Sequence, residues 1–299
     1  MTEAAFIDGL RALATHPAAR GLTDDAAVLG DLVLTHDMIV EGVHFLPTDP
    51  PGDVAWKLLA VNLSDLAAKG AAPVGCLMGY SLAGDAAWDA AFLAGLDTAL
   101  TTFAMPLLGG DTVSVPADTP RALGLTAIGR TAAAPARGGA RPGDTLWVTG
   151  LIGAAGIGLA RAMAGDDDGD PCVIAYRRPV PRLAEGRAIA PLASAMMDVS
   201  DGLLIDAGRM AEASGVAIAI ALDALPVTPA APPGLDAILA AATAGDDYEL
   251  LFALPAGVAP PDVVRATRIG VVAAGNGLTL TYANKNVPLP ARLGYLHGS

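Results

Sequence analysis

Strand-like apolar runs alternate with helix-like segments along this chain, and that alternation limits its fold more than any other feature of the sequence. Residues 73–83 form a typical strand-like run, whereas residues 53–71 repeat apolar side chains with helical spacing. A segment rich in alanine, glycine and proline, 132–144, interrupts the pattern near the middle and is typical of a linker between domains. The sequence therefore predicts an α/β (α+β) protein with two domains of similar size, 1–137 and 138–299.

The composition and charge of the 299 residues argue against several classes of protein. Hydrophobic residues make up 53% of the chain, enough for a core in each domain, and the net charge of −13 argues against nucleic acid or an anionic membrane as a partner. The two cysteines, Cys76 and Cys172, are far apart and in no metal-ligand spacing, which excludes a disulfide framework and a zinc ribbon. Because neither a secretory signal nor a membrane-spanning stretch is evident, we expect a cytoplasmic protein.

Aspartates stand at the ends of apolar runs, or inside apolar helical segments, at several places in the chain. They are Asp25, Asp37, Asp65, Asp111, Asp198, Asp201, Asp246 and Asp247. An aspartate that follows a strand is usually a turn residue or a helix N-cap. Asp65 is different, because it lies inside the helical pattern, where aspartate is unfavourable and has no capping role.

A group of carboxylates without nearby lysine or arginine needs cations to balance its charge. All-oxygen ligands favour Mg²⁺ or Mn²⁺ over zinc, and Mg²⁺ held by a few carboxylates usually meets the phosphates of a substrate. The motif LLGGDT fits such a site, because Gly109 and Gly110 let the backbone approach a phosphate while Asp111 holds the metal. P-loop and protein-kinase motifs are absent, and the glycines of 150–158 run opposite to a dinucleotide-binding fingerprint. The sequence therefore predicts a metal site for a phosphate-bearing ligand.

A family resemblance rests on motifs distributed along essentially the whole chain. They are, in order, DDAAVL, THDMIVEGVHF, KLLAVNLSDLAAKGAAP, LLGGDT, RGGARPGD, MMDVSDGL, GDDYELLF and GYLHG. Together they resemble the thiamine-monophosphate kinase family. The resemblance implies the aminoimidazole ribonucleotide synthetase-like (PurM-like) fold, with an N-terminal ATP- and Mg²⁺-binding domain that dimerises through its sheet, a C-terminal α/β domain, and active sites between the two. It also implies transfer of the γ-phosphate of ATP to thiamine monophosphate, the last step of thiamine diphosphate biosynthesis.

The resemblance also assigns roles to individual residues. As ligands of several Mg²⁺ ions it implies Asp25, Asp37, Asp65, Asp111 and Asp198, with Thr35 and His36 as neighbouring metal contacts and Asp201 as a further ligand. For ATP it implies Gly110, Asp111, Arg137 and Ser200, and for the thiamine moiety it implies His44, Asp246 and Tyr295.

Some positions depart from the usual family pattern. His36 stands where a small residue such as threonine is common, Lys69 where methionine is frequent, and Asp246 where glutamate is usual. Whether His36 would contact a metal through its side chain or its backbone is left open. We expect Arg137 to be the one cationic side chain near the nucleotide. We expect no catalytic base, because the attacking phosphate oxygen is already ionised at neutral pH.

Two alternatives to this kinase stay open. A sister ATP-dependent enzyme of the same fold would carry other features, such as the early reactive cysteine of selenophosphate synthetases, whereas the first cysteine here is Cys76. A noncatalytic metal-binding protein that uses the aspartates for stability would not need the GGDT motif, Arg137 or His44 at these places.

Overall fold

The chain folds into two mixed α/β halves, and the computed structural model describes residues 3–165 and 169–296. In chain order, the N-terminal half contains α1 (Glu3–Arg11), a 3₁₀ segment (Pro17–Leu22), β1 (Ala27–Leu29), β2 (Leu32–Val40), α2 (Pro51–Ala68), β3 (Ala72–Leu82), α3 (Ala86–Thr102), β4 (Leu107–Ser114) and β5 (Ala122–Arg130). Its strands form one sheet in the order β1-β2-β5-β3-β4, antiparallel except for the parallel β3–β4 pair. Helix α2 packs on this sheet, and α3 packs on α2.

The C-terminal half contains a larger sheet. Its elements are β6 (Thr145–Thr149), α4 (Ala154–Ala164), α5 (Pro171–Arg177), α6 (Leu183–Ile189), β7 (Ala195–Val199), α7 (Leu203–Ser214), β8 (Ala217–Ala221), a 3₁₀ turn (Leu222–Ala224), α8 (Leu235–Thr243), β9 (Glu249–Leu254), β10 (Ala266–Ala273), β11 (Gly277–Tyr282) and β12 (Lys285–Val287). The strand order is β12-β11-β8-β10-β6-β9-β7, and only β11 and β8 are parallel. The edge strand β7 is buried along its whole length, because α2 of the N-terminal half packs against it.

Helix α2 lies between the two halves and is buried on nearly all sides. The spacing of its apolar residues predicts one buried face, formed around Leu59 and Leu63, but the polar side chains of Asn62, Ser64 and Asp65 are buried as well. The reason is that α6 and β7 of the C-terminal half cover the side of α2 that the N-terminal sheet leaves open. A helix that is covered all round belongs to the interior of the molecule, and its polar side chains must find partners there.

The two halves approach closely where α2 crosses α6. A Cβ atom built on Gly186 would lie 2.1 Å from the carbonyl oxygen of Ala67, so only glycine permits this approach. In the N-terminal part of α2, the indole nitrogen of Trp56 donates a hydrogen bond to the carbonyl of Pro179 at 2.8 Å. Both ends of α2 are therefore in contact with the C-terminal half.

Most predicted elements are present with ends shifted by a few residues, and the α/β fold class is confirmed. The prediction was incomplete at α5, which the sequence pattern did not indicate, and near the end of the chain, where three strands follow β9 instead of two. The domain boundary at 137/138 stays a prediction; it lies between the end of β5 and the start of β6. The last two residues of the GYLHG motif, 297 and 298, lie outside the described residues. None of the helices in the described ranges combines the length and apolar character needed to cross a membrane.

Candidate active site

Three carboxylates from three elements meet at the junction of the two halves. Asp37 lies on β2, Asp65 in the last turn of α2, and Asp198 on β7. Asp65 is 8% exposed and Asp198 is 4% exposed, so both side chains are buried. The last turn of a helix carries the negative end of the helix dipole, which makes it an unfavourable place for another negative charge. The position of Asp65 therefore indicates that a cation or a proton compensates for its charge.

The carboxylates raise one another's pKa. Burial and the charges of Asp25 and Asp201 raise the pKa of Asp37 to about 6. The pKa of Asp65 lies well above its usual range, because the group is buried and because Asp37 and Asp198 are close. Burial and the charge of Asp25 likewise raise the pKa of Asp198 well above its usual range. Such crowding is typical of sites that receive cations or do chemistry.

Neutral polar side chains orient this group of carboxylates. The hydroxyl of Thr35 donates to Asp65 Oδ2, and the hydroxyl of Ser64 donates to Asp198 Oδ2 at 2.6 Å, across the boundary between the two halves. The side-chain oxygen of Asn62 accepts a hydrogen bond from the backbone N–H of Asp37 at 2.9 Å. Asn62 and Ser64 were not predicted as site residues. The signal that could have found them is the presence of two polar residues beside Asp65 in an otherwise apolar helix.

Asp25 differs from these carboxylates because it is already paired with cations. Its Oδ1 lies 2.5 Å from Arg137 Nη2, and its Oδ2 lies 2.7 Å from Lys69 Nζ. The ammonium lies off the hydrogen-bond direction, so Asp25 Oδ2 accepts no hydrogen bond although it is in an ion pair. Burial alone would raise the pKa of Asp25, but Lys69 and Arg137 together hold it below its usual value.

The expectation that these aspartates have no lysine or arginine nearby is therefore wrong for Asp25 and Asp201, while the expectation for Arg137 beside the nucleotide stays a prediction. Lys69 is fully buried between Asp24 and Asp25, and Arg209 pairs with Asp201 at 2.6 Å. The chain separation between these residues, for example the 44 positions between Asp25 and Lys69, hid these pairs in the sequence. Three aspartates do fit the prediction of carboxylates without lysine or arginine partners among the described residues: Asp37, Asp65 and Asp198.

The turn after β7 is organised by a carboxylate that the sequence analysis missed. Asp206 is fully buried in the first turn of α7, and its Oδ2 accepts hydrogen bonds from the backbone N–H groups of Ser200 (3.1 Å) and Asp201 (3.2 Å). Arg209 lies 2.7 Å from Asp206 Oδ1. Burial raises the pKa of Asp206 to about 7 in spite of this partner. Asp206 thus holds the backbone of Ser200 and Asp201 in place beside Asp198.

The residues predicted to bind the thiamine moiety surround this turn. Asp246 Oδ2 lies 2.8 Å from Lys57 Nζ, which also donates to the carbonyl oxygen of His44 at 2.9 Å. The backbone N–H of Asp246 donates to the Ser200 carbonyl at 2.8 Å, and the N–H of Tyr295 donates to the Asp201 carbonyl at 2.9 Å. His44 and Asp246 are therefore connected through Lys57, and Asp246 and Tyr295 are attached to the same turn as Ser200.

Asp246 is held in an uncommon backbone conformation. Its φ of +67° lies in the left-handed region, as does the φ of +49° of Tyr248, whose hydroxyl donates to Asp246 Oδ1 at 3.0 Å. Such conformations cost energy in residues other than glycine and cluster at functional sites. Lys57 and Tyr248 thus fix the Asp246 carboxylate from two sides, and its side chain remains 31% exposed.

Gly110, Asp111 and the His36 side chain lie apart from the carboxylate group. Gly110 and Asp111 are on the edge strand β4, which is exposed along its length and is separated from β2 by β3 and β5. Gly110 is required by strand packing, since a Cβ there would lie 1.9 Å from the Met78 carbonyl oxygen. The imidazole of His36 contacts the Thr126 hydroxyl on the outer face of the sheet, opposite Asp37. Only the backbone of His36 is therefore on the side of the carboxylates.

Within the described ranges, no three histidine, cysteine, aspartate or glutamate side chains converge closely enough to form a ready-made metal site. The structure accounts for this in part: Asp25 is engaged by Lys69 and Arg137, while Thr35 and Ser64 each occupy one oxygen of Asp65 and Asp198. Repulsion between unbalanced carboxylates also favours their separation.

Comparison with known proteins places the chain in a family. Residues 23–131 match the N-terminal domain and residues 141–283 the C-terminal domain of the AIR synthase related proteins. The chain is 38% identical to thiamine-monophosphate kinase of Caulobacter vibrioides, a similarity that covers 94% of this chain and 86% of that protein. The chain belongs to the thiamine-monophosphate kinase family.

Other members of the thiamine-monophosphate kinase family are similar in sequence and in structure. The Escherichia coli K12 enzyme is 38% identical, over 79% of this chain and 76% of that protein. The solved structure of AaThiL complexed with AMPPCP and TMP superimposes with a TM-score of 0.87 at 29% identity, and covers 99% of this chain and 97% of that one. The family resemblance predicted from the motifs is confirmed.

Proposed function

We propose that this chain transfers the γ-phosphate of ATP to the phosphate of thiamine monophosphate, which gives thiamine diphosphate and ADP. The observation that carries this proposal is the proximity of Asp37 and Asp198 to the buried Asp65, with carboxylates from both halves of a thiamine-monophosphate kinase family member. The AaThiL structure, obtained as a complex with AMPPCP and TMP, supports the choice of substrates.

The carboxylate group fits divalent cations with oxygen ligands. Burial, together with the charges of neighbouring aspartates, raises the pKa values of Asp37, Asp65 and Asp198, and the described residues offer them no lysine or arginine partner. We propose that these three residues hold Mg²⁺, as the resemblance implies; when bound, Mg²⁺ neutralises phosphate charge and favours phosphoryl transfer. The metal roles of Thr35, His36, Asp111 and Asp201 stay predictions, and so does that of Asp25, which already pairs with Lys69 and Arg137.

The side chains of this chain have to position two anions and need not move a proton. The terminal phosphate of thiamine monophosphate is mostly ionised at neutral pH, so its oxygen attacks without a general base. Phosphoryl transfer then depends on holding donor and acceptor in line and on balancing their charge. The pairing of Arg137 with Asp25, and the hydrogen bonds from the backbone of Ser200 and Asp201 to Asp206, support the predicted contacts of Arg137 and Ser200 with ATP.

The thiamine moiety would bind beside this turn. Its thiazolium ring is cationic, and the Asp246 carboxylate, fixed by Lys57 and Tyr248, offers a partly exposed negative charge at 31% exposure. The backbone of His44 is connected to the same region, because its carbonyl oxygen accepts a hydrogen bond from Lys57. The backbone of Tyr295 is connected to it as well, because its N–H donates to the Asp201 carbonyl. This arrangement supports the predicted roles of the three residues in substrate binding.

The outer face of the N-terminal sheet supports the proposed homodimer. Met38, Leu77 and Leu108 are 51%, 42% and 57% exposed, respectively, and lie on β2, β3 and β4 of one sheet. An apolar patch of this kind on an open sheet face is typical of an interface. We propose that a second copy covers it, which would also bring Gly110 and Asp111, on β4, to the interface. The two free buried cysteines agree with a reducing compartment, so we propose a cytoplasmic location.

The proposed function is tested by incubating the protein with ATP, Mg²⁺ and thiamine monophosphate and separating the products by chromatography. We expect thiamine diphosphate and an equal amount of ADP, and no product from unphosphorylated thiamine. Asp65→Asn should lower the rate about 100-fold or more, because even indirect partners of a metal typically contribute 10–100-fold. The matched control is Asp97→Asn, an exposed aspartate on α3, which should retain the rate. Absence of thiamine diphosphate with the wild-type chain would refute the proposal.

A further inference from the structure

Lys69 is the most unusual charged residue of this site. It directly follows α2, is fully buried, and its Nζ lies 2.5 Å from Asp24 Oδ1, 2.7 Å from Asp25 Oδ2 and 3.1 Å from the carbonyl oxygen of Met196. A buried ammonium is costly unless it is compensated, and here two carboxylate oxygens and one carbonyl oxygen lie within 3.1 Å of it. The contacts of Lys69 are therefore those of a small cation held in an oxygen site.

The charges around Lys69 divide the acidic residues into two parts. Asp24 also pairs with Arg20 at 2.5 Å, and Asp25 also pairs with Arg137 at 2.5 Å, so both carboxylates are balanced by side chains of the protein. Asp37, Asp65 and Asp198, by contrast, have no lysine or arginine partner among the described residues. The protein thus supplies its own cations on one side of the site and leaves the other side to a ligand.

Lys69 also connects the two halves of the molecule. Asp24 and Asp25 precede β1 in the N-terminal half, whereas Met196 lies on β7, two residues before Asp198. The ammonium therefore joins the loop that carries Asp25 to the strand that carries Asp198. These contacts are made by atoms of the protein alone.

We propose that the Lys69 ammonium takes the place of a divalent cation at Asp24 and Asp25, so that this part of the site is assembled before metal or nucleotide binds. The proposal rests on the proposed function in that the neighbouring carboxylates are the ones assigned to Mg²⁺. Replacement of Lys69 by methionine, which has a similar length but no charge, leaves Asp24 Oδ1, Asp25 Oδ2 and the Met196 carbonyl oxygen without a cation between them, while Arg20 and Arg137 still pair with the two carboxylates. Hard oxygen ligands of this kind bind Mg²⁺ or Mn²⁺.

The test measures Mn²⁺ binding to the metal-free full-length chain by electron paramagnetic resonance of the free ion. We expect Lys69→Met to bind about one more Mn²⁺ per chain than the wild type, at the vacated oxygen site. In EDTA its melting temperature should fall by on the order of 10 °C, and Mn²⁺ should restore most of this loss. Lys57→Met is the matched control: Lys57 is also buried (2% exposed) but pairs with Asp246, so its loss should add no Mn²⁺.

Equal Mn²⁺ numbers for the wild type and Lys69→Met would overturn the proposal, and so would a Lys69→Met chain that does not fold even at saturating Mn²⁺. A second variant tests the wild-type site directly: Asp25→Asn should leave the Mn²⁺ number unchanged, because Asp25 binds the ammonium, and loss of an ion would refute this. The proposed function is judged separately by product formation. An inactive wild type with an additional Mn²⁺ in Lys69→Met would reject the kinase and leave the role of Lys69 standing.

Discussion

Asp37→Asn tests whether the charge of Asp37, buried near other aspartates, destabilises the folded protein. The folded protein raises the pKa of Asp37 from 3.8 to about 6, through burial first and then through Asp25 and Asp201. The described residues donate no hydrogen bond to its carboxylate, and the backbone contact with Asn62 does not depend on the side chain. Asparagine therefore removes the charge and leaves the local contacts in place.

The direction of the pKa shift of Asp37 determines whether the folded protein gains or loses stability as the pH rises. Between pH 4 and 6 the unfolded chain has released this proton and the folded chain retains it, so rising pH favours unfolding. A shift from 3.8 to about 6 corresponds to about 3 kcal/mol, and partial exposure of the side chain reduces this to about 2 kcal/mol. Without metal, Asp37→Asn should be more stable than the wild type by this amount at pH 8, and the difference should disappear near pH 4.

The measurement is urea unfolding in EDTA at several pH values, followed by tryptophan fluorescence. Excess Mg²⁺ should stabilise the wild type at pH 8 more than it stabilises Asp37→Asn, since the variant lacks a carboxylate to be neutralised. Asp97→Asn on α3 serves as the control and should follow the wild type at every pH. A wild type whose metal-free stability does not change between pH 4 and 8, or an Asp37→Asn chain that is less stable at pH 8, would refute the reasoning.

Two further predictions concern contacts between elements and between chains. Ser64→Ala removes the 2.6 Å hydrogen bond to the buried Asp198 carboxylate. We expect the free energy of unfolding, measured in urea with Mg²⁺ present, to fall by about 1–3 kcal/mol. An unchanged free energy of unfolding would show that the hydroxyl does not orient Asp198. Leu77→Glu places a charge in the exposed apolar face of the N-terminal sheet. Light scattering should then report a monomer, whereas the wild type should be a dimer. The control is Leu93→Glu, on the exposed surface of α3, which should leave the assembly unchanged. A dimeric Leu77→Glu chain would place the interface elsewhere.

The sequence motifs were sufficient to predict the fold class and the family, because both predictions depend on local patterns. Helix and strand periodicities survive in any compact arrangement of the elements, and an aspartate inside an apolar helix, such as Asp65, is an anomaly in the sequence itself. The same signal extends to Asn62 and Ser64, which stand beside Asp65 and which the analysis passed over. The identity of the helix that carries the site could therefore be predicted before its surroundings were known.

Only the tertiary structure decided which charges neutralise one another. Lys69 follows α2, Asp25 precedes β1 and Met196 lies on β7, and these three meet because both halves pack around the end of α2. The energy of a charge depends on its burial and on its neighbours in space, and neither is local in the sequence. For that reason the pairs of Asp25 with Lys69 and of Asp201 with Arg209 could not be predicted from the sequence, whereas the fold separates these paired carboxylates from Asp37, Asp65 and Asp198, which have no lysine or arginine partner among the described residues.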